Sequence, residues 1–190
     1  MINETYNAPN PDPGTTAGET KRVNETADAP TNDDMISTLN GLIETCRDGQ
    51  EGFKEAAEGV ERSDLKSIFY EYSQQRASFV GDLQSLVQTL GGDPENTGSF
   101  AGTLHRGWIN IKSAVTGQDD AAILNEAERG EDSAKNAYKD ALALALPDYI
   151  RQTVEKQYAG VQEAHDKVKA LRDAANNEGT EQSNTARTGF

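Results

Sequence analysis

Ser63–Pro94 reads SDLKSIFYEYSQQRASFVGDLQSLVQTLGGDP. Leu65, Phe69, Tyr72, Phe79, Leu83, Leu86 and Leu90 recur at three- and four-residue spacing, which is one face of a helix. The spacing predicts a helix from about Asp64 to Leu90, with Ser63 as its N-cap. Such a helix is roughly 40 Å long at ~1.5 Å per residue. Gly91-Gly92-Asp93-Pro94 ends it, because glycine tolerates the left-handed C-terminal conformation and proline cannot continue a helix. One position in the apolar series is charged: Arg76 lies on the inward stripe.

Working outward, the same period appears on both sides. Ile36, Leu39, Ile43, Cys46, Gln50, Phe53, Ala57 and Val60 predict a first helix from about Asp33 to Val60, capped by Asn32. Phe100, Leu104, Trp108, Ile111 and Val115 predict a shorter amphipathic helix closed by Gly117. A third long helix, from about Asp119 to Ala145, has a stripe of small residues: Ile123, Ala127, Gly130, Ala134, Ala137, Ala141 and Leu144. Pro147 opens the fourth, whose stripe is Ile150, Val154, Tyr158, Val161, His165, Val168, Arg172 and Ala175. Helices one and two, and helices three and four, are joined by tight turns and must be antiparallel. The segment between helices two and three is long enough to run back along the bundle. Two hairpins joined by one long crossover is the ferritin-like connectivity. The expected fold is therefore all-α, a ferritin-like antiparallel four-helix bundle with a helical crossover between helices 2 and 3.

The bundle is expected over residues 32–175, flanked by tails. Residues 1–31 hold four of the six prolines and few large apolar residues, so they read as a disordered N-terminal tail. Residues 176–190 read as a second disordered tail. The chain of 190 residues carries a formal net charge of -14, which repels phosphate backbones and anionic lipid. Nucleic acid and membrane surfaces are not expected partners. A single cysteine, Cys46, suits a reducing compartment. The longest apolar run, Ala141–Pro147, is too short to span a bilayer. No basic-then-apolar leader opens the chain. A soluble cytoplasmic protein is expected.

Five short motifs, DGQEGF (Asp48–Phe53), LGGDP (Leu90–Pro94), LHRGW (Leu104–Trp108), ERGED (Glu128–Asp132) and AHDKVKALRDA (Ala164–Ala174), resemble a bacterial family of ferritin-like four-helix-bundle proteins. That family is described chiefly as a domain of unknown function, with a loose link to stress. The resemblance spans roughly Asp33–Ala174. It implies the bundle fold and a stress-related role, and it implies no particular activity.

A metal pair in such a bundle needs one Glu from each of two helices and Glu-x-x-His from each of the others, all projecting inward. At ~100° per residue the inward polar positions are Gln50 on the first helix, Arg76 on the second, Glu131 on the third and His165 on the fourth. Gln162 holds the Glu position of a Glu-x-x-His motif, and Glu71 lies at the edge of the second stripe. Register estimates put Arg76 beside Glu131, Gln50 beside Gln75, and Glu131 beside Gln162, one turn from His165. The expected centre is a polar network of Gln50, Gln75, Arg76, Glu131, Gln162 and His165. Arg76 would repel metal ions there. The candidate metal ligands are Glu71, Glu131 and His165, with iron as the candidate ion, but the polar network is the favoured reading and no cofactor is preferred.

Cys46, on the core stripe, reads as a buried structural thiol rather than a nucleophile. His105 and Trp108 read as the anchor of the crossover helix, or as the wall of a small pocket. Nothing marks a catalytic group, so the reading leans away from an enzyme. It favours a non-catalytic bundle acting by self-association or through a protein partner. A di-metal carboxylate protein with oxidase or iron-storage activity and a ligand-binding bundle are the rivals. Ile68, Val80, Val87, Leu124 and Leu142 flank the main stripes and leave room for a homodimer.

Overall fold

The computed structural model describes residues 29–94, 110–117 and 119–188, with side chains described as far as residue 177. The N-terminal tail up to residue 28, His105 and Trp108, and Phe190 lie outside the described residues. The elements are α1 (Asn32–Gly59), α2 (Ser63–Thr89), α3 (Ile111–Thr116), α4 (Asp120–Leu142) and α5 (Asp148–Thr188). No strand occurs among the described residues.

Each boundary has a local cause. Thr31, not Asn32, caps α1: its side chain accepts from the Asp34 N–H, and the Asp34 carboxylate accepts from the Thr31 N–H. Arg62, not Ser63, stands at the N-cap of α2 and makes no side-chain cap bond. Gly91, at φ 78°, takes the left-handed turn that stops α2, while the Gly91 and Gly92 N–H groups return to the Gln88 and Val87 carbonyls. Asn32 Nδ2 donates to the Leu90 carbonyl at 2.8 Å, tying α1 to the end of α2. The helix α4 stops at Leu142, three residues short of the sequence expectation. Arg151 donates to the Leu142 and Leu144 carbonyls, satisfying acceptors that a longer helix would have used. Helix α5 continues to Thr188, beyond Ala175 where periodicity ends the bundle. Residues 176–188 contain no proline, so each further residue adds a backbone bond without a steric stop.

Helix α1 packs against α2 and α4, and α5 packs against α4 and α2. Two apolar clusters set the direction of each helix. Leu39, Leu42 and Ile43 of α1 meet Leu83 and Val87 of α2, Ala134 and Ala141 of α4, and Ile150 and Val154 of α5 at one end. Phe53, Ala56 and Ala57 meet Leu65, Phe69, Ile123, Leu124 and Val168 at the other. So α1 and α5 run one way and α2 and α4 the opposite way, with the crossover returning the chain along the bundle. The short α3 belongs to that crossover and lies against α1 and α4, with Ile111 in the second cluster. The α1–α4 seam is closely packed. The α2–α5 seam is looser, and Gly160 lies on it against the Phe79 ring.

Two glycines make opposite predictions. A Cβ at Gly59 would overlap the Val115 side chain of α3, with Cγ1 at 2.7 Å. Gly59→Ala should cost about 1–3 kcal/mol, because the short helix must shift to admit a methyl group. Gly81 is an exposed position inside α2 with nothing near its missing Cβ. Gly81→Ala should add about 0.5–1 kcal/mol by lowering the entropy of the unfolded chain. Urea midpoints of the two variants, moving in opposite directions from the parent, would check both.

Candidate functional site

The two clusters are separated by a polar layer. Arg76 and Glu131 are each only 1 % exposed at the side chain, and the Arg76 guanidinium donates to Glu131 Oε2 at 2.6 Å. Helices α2 and α4 are diagonal partners and do not pack directly. Only a long side chain can cross that diagonal, which is why arginine stands on an otherwise apolar stripe. Its stem passes Gly49, where an added Cβ would meet Arg76 Cγ at 3.4 Å, an ordinary contact. The guanidinium sits between the Phe53 and Phe79 rings, at 5.8 and 5.4 Å from their centroids. Gln75 Oε1 accepts a second guanidinium bond at 2.5 Å. Arg76 Nε and Glu131 Oε1 are buried with no hydrogen-bond partner among the described residues. The layer is therefore costly to desolvate, and burial pushes the Glu131 carboxyl above the usual range while Arg76 opposes that shift.

Next to this pair runs a second buried chain of polar groups. Tyr138 donates its phenol proton to Gln157 Oε1 at 2.8 Å. Its single proton is then committed, so the Cys46 thiol, 3.0 Å away, must be the donor to the phenol oxygen. Gln157 Nε2 reaches the Phe79 carbonyl and Asp82 across the α2–α5 seam. Burial pushes the Cys46 thiol up to about 11, so it stays protonated and unreactive at neutral pH.

The third polar group lies on the α4–α5 seam. His165 is nearly buried. Its Nδ1 is 2.9 Å from Asp166 Oδ1 and its Nε2 is 3.0 Å from Asp132 Oδ1, with Lys135 Nζ at 3.2 Å from Nδ1 and 3.3 Å from Nε2. Glu128, one turn before Asp132, is also buried and pairs with Arg172.

The residues singled out by sequence separate into three places. Arg76, Glu131 and Gln75 meet at the centre. The Gln50 carbonyl, but no side-chain bond of Gln50, enters the layer by accepting from Ser73 Oγ at 2.8 Å. Gln162 is exposed, a departure from its expected place in the centre. His165 lies at the level of Asp132, next to Glu131, rather than a turn away. Gln162 follows the buried Val161 by one residue, about 100° around α5, and so falls outside the inward stripe. Glu71 is exposed on an open groove of about 460 Å³ between α2 and α5, with Tyr72, Gln75, Glu163 and Lys167. It meets neither Glu131 nor His165 through any described bond. Tyr138 and Gln157 escaped the sequence reading. Both sit one position off the assigned stripes, and a buried hydroxyl needing a partner was the only available signal.

A family model described as a domain of unknown function (DUF2383) matches residues 34–144. A crystal structure of a two-domain protein with dj-1/thij/pfpi-like and ferritin-like domains, from Anabaena variabilis ATCC 29413, is similar in fold. The TM-score is 0.65 at 17% identity, over 77% of this chain and 41% of that one. The chain thus spans less than half the length of that protein, and the likeness speaks for the fold alone. No curated protein matches.

Two measurements test the buried groups. Arg76→Met should cost about 3–5 kcal/mol, because Glu131 is left buried and unpaired. Adding Glu131→Leu should recover most of the loss, and a double-mutant cycle in urea would read the coupling. For Cys46, the folded thiol holds its proton to a higher pH than the unfolded one. Its contribution is complete below the ordinary value of 9.0 and is lost as pH rises toward about 11. The parent should therefore lose about 2–3 kcal/mol more stability over that window than Cys46→Ala.

Proposed function

Because the chain belongs to the family described as a domain of unknown function (DUF2383), with a ferritin-like helical bundle as its fold, we propose that it is a non-catalytic bundle with a stress-related role. In this reading it works in the bacterial cytoplasm by association with a protein partner, not by metal-dependent chemistry at its centre. One observation carries the reading: the place of a ferritin-like metal pair is crossed by the Arg76–Glu131 ion pair. The donor set does not fit two metal ions. The layer offers one buried carboxylate, Glu131, and one of its oxygens already receives a fixed cation. The other side chain that meets the guanidinium, Gln75, is a neutral amide rather than a carboxylate.

The surface supports association through polar contacts rather than a large apolar face. Val87 and Leu124, which sequence alone left free for a dimer, are fully buried in the chain's own core, and Ile68, Val80 and Leu142 are half-buried. The only exposed large hydrophobic residues among those described are Tyr70 and Tyr149, on different helices. No described helix is long and apolar enough to cross a membrane, and the net charge of -14 argues against nucleic acid. A homodimer is therefore the less favoured mode, and a partner with a basic surface is the better match.

Two readouts address this. Iron analysis of protein purified from iron-supplemented cells should find no iron pair, and two tightly held irons per chain, lost in Glu131→Gln, would overturn the reading. Light scattering over a wide concentration range should return the mass of one chain, 20.5 kDa.

A further inference from the structure

Away from the centre, the α4–α5 seam holds a constellation of a different kind. Glu128 and Asp132 are four residues apart and share one face of α4. His165 enters from α5. One ligand atom from each lies within 4.8 Å of the other two. Three ligands of a single ion, each at about 2.0–2.2 Å, sit roughly 3–4 Å apart, so small side-chain rotations would close the set.

The imidazole supplies the stronger argument. A neutral histidine has one donor nitrogen and one acceptor nitrogen. Both nitrogens of His165 face carboxylates, at 2.9 Å from Asp166 and 3.0 Å from Asp132. Two acceptors cannot face each other so closely without a hydrogen or a metal ion between them. If Nδ1–H donates to Asp166, Nε2 is left as a lone pair between Asp132 and the Lys135 ammonium, which is 3.3 Å away, and a metal ion that displaced that half-buried lysine would find the lone pair ready. A ligating histidine whose other nitrogen donates to a carboxylate is the usual outer-shell arrangement of a metal site.

The surroundings agree. Glu128, Asp132 and Asp166 bring three carboxylates, set against Arg172 and Lys135. Arg172 contacts Glu128 through Oε2 and is shared with Asp173, so the second Glu128 oxygen is outside that pair. Lys135 is only half-buried and can swing away from the ring on its flexible stem. Glu128 and His165 form a buried floor, while Asp132 is exposed and leaves a path from solvent. Glu131, committed to Arg76, belongs to neither the set nor the path.

We propose that Glu128, Asp132 and His165 form a mononuclear site for a borderline divalent ion of the Zn²⁺ class on the α4–α5 seam, separate from the bundle centre. One nitrogen and two carboxylate oxygens suit such an ion and leave a coordination position open to water. The site does not depend on the non-catalytic reading.

The test uses tag-free, metal-stripped full-length protein near neutral pH. It is titrated with Zn²⁺ by calorimetry and with Co²⁺ by visible absorption, while the His165 ring resonances are followed by NMR. One ion per chain is expected, with those resonances shifting on binding. His165→Gln and Asp132→Asn should each weaken uptake at least about tenfold, with Glu71→Gln unchanged and helix content by circular dichroism equal to the parent. Absence of saturable uptake would sink the proposal and leave the seam a cluster of hydrogen bonds and ion pairs. Uptake unaffected by either variant would sink it as well. Glu128→Gln, which keeps side-chain volume, provides a third variant should one of the first two fail to fold. Two ions per chain abolished by Glu131→Gln would place metal at the centre, overturning this site and the non-catalytic reading together. Loss in His165→Gln alone, with Glu131→Gln unchanged, would support the seam site and leave that reading intact.

Discussion

A guanidinium that must cross the diagonal of a four-helix bundle constrains everything around it. The backbones of α2 and α4 lie diagonally across the core, and the long Arg76 side chain spans the distance to Glu131. The reach dictates its neighbours. The stem passes Gly49, two phenylalanine rings cover the planar head, and Gln75 accepts a second guanidinium N–H. A lysine would not serve, since it has no planar head to lie between rings and no fork to share between two acceptors. The apolar interior is consequently two clusters rather than one, each filled by all four long helices, with charge and amide groups between them.

The two polar regions obey the same rule with different partners. At the centre the counter-ion is internal and fixed, so the carboxylate is balanced by the fold itself. On the α4–α5 seam three carboxylates and an imidazole meet one shared arginine and one half-buried lysine, and two of the carboxylates face solvent. Buried charge is tolerated only when paired. The centre meets that requirement with Arg76, and the seam meets it for Glu128 with Arg172, while Asp132 and Asp166 keep their contact with water.

Much of this was legible in the sequence because a helical bundle writes itself as a period. The stripes located every long helix, and the short turns and one long crossover set the connectivity. The offset between the parallel helices α2 and α4 paired Arg76 with Glu131 in advance. The hairpin from α4 to α5 was less legible. Its register depends on how many residues the Ala143–Pro147 turn consumes, and a shift of about one turn separates a level of Glu131 with Gln162 from the observed meeting of Asp132 with His165. Tyr138 and Gln157 were hidden for a related reason. Their side chains reach inward from the edge of a stripe, and periodicity reports where a Cα faces, not how far a long side chain extends. Glu128 and Asp132 were invisible as a set until α5 brought His165 beside them.

The bundle can also be pictured as a half-open book. The α1–α2 and α4–α5 hairpins are its covers, the close α1–α4 seam is the spine, and α2 and α5 form the fore-edge, held mainly where Phe79 rests on Gly160 and Gln157 reaches across. Bending such an object costs least at the fore-edge. Water admitted there would meet the Tyr72 hydroxyl and Gln75 first, and behind them the guanidinium. The side of the molecule that is softest is thus also the one nearest its most expensive buried charge.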